Sequence, residues 1–365
     1  MNVLRQVLLD SHRIAALSAV EWDLLVRQAR HANLLGRLYR RLQAADLLAQ
    51  VPERPLHHME SAAVMADRQH MLVRYESRFL RDTLAGLGLP LILLKGAAYV
   101  VGDLPAASGR VFADMDILLP RERLPEVESA LIMTGWIGEP LDAYDQRYYR
   151  QWMHELPAMR QMHRGTALDV HHTILPPTAR LKPDAQALIR DSVEIPGSPG
   201  MRTLQPTDMV LHSACHLFHD GESENLLRDL SDLDLLLRHF SREPSFWPQL
   251  VARAAAMDLQ MPLRLALRYL VQVLACPVPG SALQALKADR SHDVAEHTLD
   301  WIYSRTLRPQ HSSTRDWATP LCRKLLYIRG HWLRMPPHLL FVHLARKAWV
   351  GPTTISAAAL ENDPR

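Results

Sequence analysis

Asp114 and Asp116, in Asp-Met-Asp-Ile-Leu-Leu, and Asp169, in Leu-Asp-Val-His-His, are the acids of this 365-residue chain whose spacing suits chemistry. Both segments read as short strands, in which alternate residues share a face. Asp114 and Asp116 then leave one side while Met115 and Ile117 enter the core. Asp169 and His171 share a side opposite Leu168 and Val170. Carboxylates held side by side repel unless a cation lies between them, and an all-oxygen donor set suits Mg²⁺ or Mn²⁺. A D-x-D pair with a third acid from a neighbouring strand can hold two such metals about 3.5–4 Å apart. The competing reading is a solvated strand end, with Asp169 as a turn or capping residue. Asp232-Leu-Asp234 repeats the spacing, but in a segment with helical periodicity, where residues two apart do not share a face.

The elements before the pair supply an anion site to match. Leu91–Leu94 reads as a buried strand ended by a Lys95-Gly96-Ala97-Ala98 turn, and a Gly/Pro/Ser-bearing connection leads to Arg110 and the Asp114 strand. Backbone N–H groups of Gly96 and Ala97, at a helix N-terminus, would face nucleotide phosphates. Lys95 and Arg110 carry charge for the same anion, the alternatives being an ordinary turn and a surface ion pair. His171 either orients a carboxylate, touches substrate or is structural, and His172 points the other way. His212, Cys215, His216 and His219 form a competing constellation, since 212, 216 and 219 line one helical face as zinc ligands can. No H-E-x-x-H motif accompanies them. The expected role of that helix is to pack beside the sheet, with His216 and Asp232 buried, hydrogen-bonded or facing the cleft.

Leu-Lys-Gly-Ala at 94–97, Arg110, Asp114-x-Asp116 followed by Ile-Leu-Leu, and Asp169-x-His171 resemble the uncharacterised nucleotidyltransferase family of bacteria, a divergent branch of the polymerase-beta-like nucleotidyltransferase superfamily. The similarity runs on into the helical segment from His212 to Leu237. It implies a nucleotidyltransferase-like α+β fold, a mixed sheet flanked by helices, and a metal-dependent transferase that moves NMP from an NTP to a hydroxyl-bearing acceptor. Mg²⁺ or Mn²⁺ would sit on Asp114, Asp116 and Asp169. Lys95, Gly96, Ala97, Arg110, His171 and His216 would contact the nucleotide, ATP among the candidates. Superfamily members carry Gly-Ser or Gly-Gly at the turn where this chain has Gly96-Ala97, and the gap from Gly96 to Asp114 is longer than usual. That departure favours the alternative, an inactive nucleotide-binding or partner-binding module of the same fold.

Composition sets outer bounds. A hydrophobic fraction of 48% with 22% charged residues belongs to an ordinary folded chain. The net charge of +3 makes no global case for nucleic acid, so none is expected as a partner; a helical RNA-binding protein using the N-terminal arginines is the distant third reading. Three dispersed cysteines, Cys215, Cys276 and Cys322, make no disulfide framework and fit a reducing compartment, hence an expected cytoplasmic location. The N-terminus lacks the pattern of a signal peptide and no apolar run reaches the length of a membrane span.

Four units follow along the chain: a helical region 1–86, a core 87–205, a helical domain 206–350 and a tail 351–365. Ser18-Ala-Val-Glu21 is a capping box, Pro52 and Pro55 break the pattern, and a long helix is expected from about His57 to Leu84. Within the core, helices are expected over 120–135 and in part of 176–192. A 156–162 strand should pair with 166–172 across Gly165, and 193–195 should form a hairpin with 201–204. Beyond Pro206, helices are expected at 207–218, 224–240, 246–275, 281–304, 314–334 and 338–349. In the last, Leu339 to Trp349 is amphipathic, with membrane-surface contact weighed against core packing.

Overall fold

Asp116 lies on a central strand of a seven-stranded mixed sheet, and the rest of the fold serves to bury the two apolar sides of that sheet. The computed structural model describes residues 1–138, 143–219, 221, 223–287 and 293–336; the expected 338–349 helix and the 351–365 tail lie outside the described residues. The strands are β1 (Leu91–Leu94), β2 (Asp114–Leu118), β3 (Trp136–Gly138), β4 (Met159–Gln161), β5 (Ala167–His171), β6 (Val193–Glu194) and β7 (Met201–Thr203). They run in the order β3-β4-β5-β2-β1-β7-β6. β1 is antiparallel to β2 and parallel to β7, and β2 is parallel to β5. All four leucine and isoleucine side chains of β1 are buried, as a strand covered on both faces requires. The predicted α+β class, with helices flanking a mixed sheet, is what the chain adopts.

Alternation on β2 and β5 is as the strand period demands. Met115 and Ile117 are 1% and 0% exposed, and Leu168 and Val170 are both at 0%, so the two Asp-bearing faces are turned toward one another's side of the sheet by the packing of these four residues. The hairpin β6–β7 and the antiparallel β4–β5 pairing also form. β3 and the helix Ala143–Trp152 carry no strong apolar period and escape sequence reading.

The N-terminal helices close one side. Ser18 and Glu21 make the reciprocal capping bonds expected of them. The long helix spans Glu53–Ala85, starting a turn earlier than the prolines suggest. Pro55 sits in the first turn, where a backbone N–H has no intrahelical partner to lose. The 246–275 range holds two helices, Phe246–Ala256 and Gln260–Leu274, parted where Asp258 takes φ 57°. The helix in 176–192 is only Ala185–Arg190, capped by the Asp184 side chain. No helix among the described residues is long and apolar enough to cross a membrane, and the three cysteines are free and buried.

One close backbone approach fixes the connection that leads into β2. Gly109 takes φ +62°, and a Cβ there would stand 2.4 Å from the Gly36 carbonyl carbon. The helix Leu35–Ala44 therefore lies directly on this connection, and the Arg37 guanidinium donates to the Ala106 carbonyl at 2.5 Å. Gly109→Ala combines left-handed strain with a backbone clash and should lower unfolding free energy by about 2–4 kcal/mol. Urea denaturation checks this; an unchanged midpoint would mean that the helix and the connection are not held in register here.

Candidate active site

Strand register assembles the carboxylates. Asp116 is paired across β2 with Leu94 on one side and with Asp169 on the other. The third acid thus lands directly beside the second, because β5 runs parallel to β2 with no offset between the two aspartates. Asp114 lies two residues earlier on the same face, exposed at the open end of β2. Asp116 itself is 6% exposed.

Of the three acids, it is Asp116 that has close cationic partners among the described residues. Lys95, the first residue after β1, reaches Asp116 Oδ1 with Nζ at 3.1 Å. His171 Nε2 stands 2.9 Å from the same oxygen. Burial pushes the Asp116 carboxyl up, but the Lys95 ammonium and the His171 hydrogen bond outweigh it and hold its pKa well below the ordinary carboxylate value. Burial also opposes charge on His171. The bond to Asp116 and the nearby Glu155 carboxylate overcome it and raise that imidazole's pKa.

The two flanking acids are shifted the other way. Desolvation raises Asp169 well above the ordinary value, and the charges of Glu155, Asp116 and Asp114 add to it. Asp114 is open to solvent at the strand end, yet protein on its inner side removes part of its water; that loss, and then the Asp116 charge, raises its pKa. The surroundings of Asp169 and Asp114 therefore disfavour their charged forms.

Lys95 adopts φ +41°, a left-handed conformation costing a non-glycine residue about 1–2 kcal/mol. The strain falls where the chain turns from β1 into the helix Lys95–Val101. Gly96 follows it for a steric reason: a Cβ there would lie 2.1 Å from Phe112 Cε1 and 2.4 Å from Arg110 Nη1. The turn therefore lies beneath a phenyl ring and a guanidinium, which stack on each other at 4.7 Å. Gly96 still lines the cleft, whereas Ala97 is 1% exposed and stands behind its wall.

Arg110 is buried rather than on the surface. Its Nε donates to Asp232 Oδ2 at 2.7 Å, and Arg37 Nη2 lies 2.7 Å from the other Asp232 oxygen. Burial opposes the Arg110 charge, but Asp232 and Asp229 more than offset it and raise its pKa. Asp232, burial notwithstanding, is held below the usual carboxylate range by Arg110 and Arg37. The apparent decoy Asp232 is thus the anchor of the cleft wall on the helix Leu226–Phe240. Arg37, Arg228 and Asp229, which carry no motif, were not visible in the sequence as partners of this wall.

The cleft itself is about 290 Å³, bounded by Lys95, Gly96, Asp114, Asp116, His216 and Arg228 among others. His216 comes from the helix Pro206–His219, and burial, then Lys95, pushes its pKa well below the ordinary imidazole value. His212 is shifted the same way for the same reasons. His219 is in different surroundings: burial and then Arg329 push its pKa down to about 3, and neither of its ring nitrogens has a hydrogen-bond partner. The three histidines of that helix face do not gather as metal ligands. Among the described residues, the group whose possible ligand atoms all lie within 4.8 Å of one another is His154, Glu155 and His171, of which only His171 stood out in the sequence. His171 is behind Asp116 rather than on the cleft surface, and His172 Nε2 donates to the Met153 carbonyl on the opposite side.

A family model described as an uncharacterised nucleotidyltransferase matches residues 18–275. The chain belongs to that family. The match takes in the whole sheet, the acidic triad, Arg37, and Asp232 with its helix, so the family's general activity, nucleotidyl transfer with a nucleotide as substrate, falls on the part of the chain that forms the cleft. No curated protein and no solved structure matches this nucleotidyltransferase-family chain.

Two outcomes follow from the charges. Asp232→Ala leaves two buried guanidinium groups without their carboxylate and should cost about 3–5 kcal/mol in unfolding free energy, read by denaturant titration. Asp169 has a folded pKa raised above its unfolded value, so its protonation stabilises the fold at low pH, and that stabilisation is lost as pH climbs from about 4 through the raised folded pKa. Asp169→Asn removes this loss. In the presence of chelator the melting temperature of the variant should gain on the native protein across that window and then level off. A gap that shrinks with rising pH would contradict the assignment of Asp169 as the strained acid.

Proposed function

We propose that this chain transfers NMP from an NTP to a hydroxyl-bearing acceptor, with Mg²⁺ or Mn²⁺ at Asp114, Asp116 and Asp169. The observation that carries this reading is the pairing of Asp116 with Asp169 in one register, with Asp114 two residues away on the same face at the cleft mouth. The donor set fits a hard dication: it is all carboxylate, with Asp114 and Asp116 lining the cleft and Asp169 beside Asp116 on the next strand, and two of the three carboxyls have raised pKa values that a nearby cation would relieve. When bound, such ions neutralise phosphate charge and acidify an acceptor hydroxyl.

The chain's own groups then have distinct tasks. Lys95 and Arg228 present positive charge to a polyphosphate at the cleft wall. The raised pKa of Asp169 makes it the carboxylate best matched to taking a proton from the acceptor hydroxyl. His171 fixes the orientation of Asp116 through its hydrogen bond. Tyr99 and Ser213 share a 2.7 Å hydrogen bond beside the cleft, and the tyrosine stays protonated because burial raises its pKa. A volume of about 290 Å³ is at the small end of ligand pockets, roughly 300–1,000 Å³, so part of the substrate would lie in the open mouth beside Asp114.

A second reading, nucleotide or partner binding without transfer, is favoured by the cover over the Gly96 turn and by the engagement of Arg110 with Asp232. One experiment separates the two. Calorimetry with Mg²⁺ or Mn²⁺ and each NTP is run beside an assay for transfer of α-phosphate label onto a pool of cell-extract acceptors. Asp114→Asn combined with Asp116→Asn should reduce both signals by roughly a hundredfold or more, about 2.7 kcal/mol. Metal-dependent binding without any transfer would select the second reading, and unchanged binding and transfer in the double variant would remove the triad from both.

A further inference from the structure

Behind Asp116, outside the cleft lining, stands a group of donors of which the transfer reading uses only His171, as the residue that orients Asp116. Glu155 forms an antiparallel bridge with His171. The His172 N–H donates to the His154 carbonyl at 2.9 Å, and the Leu156 N–H to the Val170 carbonyl at 2.9 Å. Backbone pairing to β5 therefore fixes where His154 and Glu155 lie relative to His171. Their side chains converge: Glu155 Oε2 is 3.4 Å from His171 Nε2 and 3.7 Å from His154 Nε2. The two imidazole centroids are 5.1 Å apart, and ligand atoms from all three residues lie within 4.8 Å of one another.

Hydrogen bonding does not account for this convergence. The 3.7 Å contact of His154 is too long to be a hydrogen bond, and its Nδ1, like that of His171, is buried with no partner. The spacings lie close to those of a tetrahedral site. For ligands about 2.0–2.2 Å from a metal, tetrahedral edges are roughly 3.3–3.6 Å, which takes in the 3.4 Å edge and falls just short of the 3.7 Å one.

We propose that His154, Glu155 and His171 form a separate cation site behind Asp116, which takes a zinc-class divalent transition metal through two imidazoles and a carboxylate. Imidazole donors favour zinc and its neighbours in the transition series, whereas Mg²⁺ is held by oxygen. A metal on His171 Nε2 would replace that atom's 2.9 Å hydrogen bond to Asp116 Oδ1, so this site borders the carboxylate triad. The inference goes beyond the transfer reading and stands without it.

The test uses the full chain, stripped with chelator and titrated with Co²⁺. One equivalent should bind with the visible ligand-field absorption of a nitrogen-bearing site, be displaced by Zn²⁺ and resist excess Mg²⁺. His154→Ala and Glu155→Gln should each weaken Co²⁺ binding roughly tenfold or more, about 1.4 kcal/mol, and abolish the rise in melting temperature that Zn²⁺ gives the native protein. Glu155→Gln keeps the side-chain shape, so its melting temperature without metal checks the fold. Absence of stoichiometric Co²⁺ binding, displacement by Mg²⁺, or equal affinity in both variants would overturn the site. Mg²⁺-dependent NTP binding, measured on the same samples, fails or persists independently and so reports on the transfer reading alone.

Discussion

Repulsion among carboxylates at the junction of β2 and β5 is the constraint around which this molecule is arranged. Two parallel strands in exact register, each bringing an aspartate to the same face, place like charges at strand-to-strand distance, and Asp114 and Glu155 add two more. The described side chains answer this unevenly. Lys95 and His171 both contact a single oxygen of Asp116, and the imbalance drives the pKa values of neighbouring aspartates apart. Groups of one chemical type pushed in opposite directions by their surroundings are the usual mark of a division of labour between acid, base and ligand.

Such a junction is sustainable only if its supports are stiff. The sheet provides one, through the buried apolar side chains on the reverse of β2 and β5. The buried Arg37–Asp232–Arg110 assembly provides the other. It connects the helix Leu35–Ala44, the connection into β2 and the helix Leu226–Phe240, elements far apart in sequence. A buried ion pair is weak evidence for net stability but strong evidence for specified geometry once one partner cannot be removed cheaply. Here the geometry specified is the position of Arg110 over Gly96, and hence the width of the cleft at Lys95.

The sheet and the acidic face were legible in the sequence because they rest on a period of two. Leu91–Leu94, Asp114-Met-Asp-Ile and Leu168-Asp-Val-His each fix which side chains go inward with no knowledge of the partner strand. The capping box at Ser18 is equally local. What escaped depends on register between distant segments. Glu155 and His154 matter only because they pair with β5, and Arg37 only because Gly36 lets its helix touch Gly109. The Asp232-Leu-Asp234 triplet was correctly set aside as a strand-type pair, yet a single helical aspartate can anchor two arginines, a role that spacing alone does not encode. The same limit applies to the Lys95-Gly96 turn, whose exposure is decided by where Phe112 lands.

Lys95 joins these strands of argument. A lysine in a left-handed turn is intrinsically disfavoured, whereas asparagine or glycine would fit that backbone more easily. Neither could deliver an ammonium to Asp116. The strain is therefore offset by the salt bridge to a 6%-exposed carboxylate, and the arrangement holds only while that carboxylate stays charged. Asp116 keeps its charge because Lys95 and His171 flank it, and Lys95 keeps its strained backbone because Asp116 is charged. Mutual dependence of this kind makes the centre of the site respond as one unit to any added cation or anion, with the sheet behind it too tightly packed to relax instead.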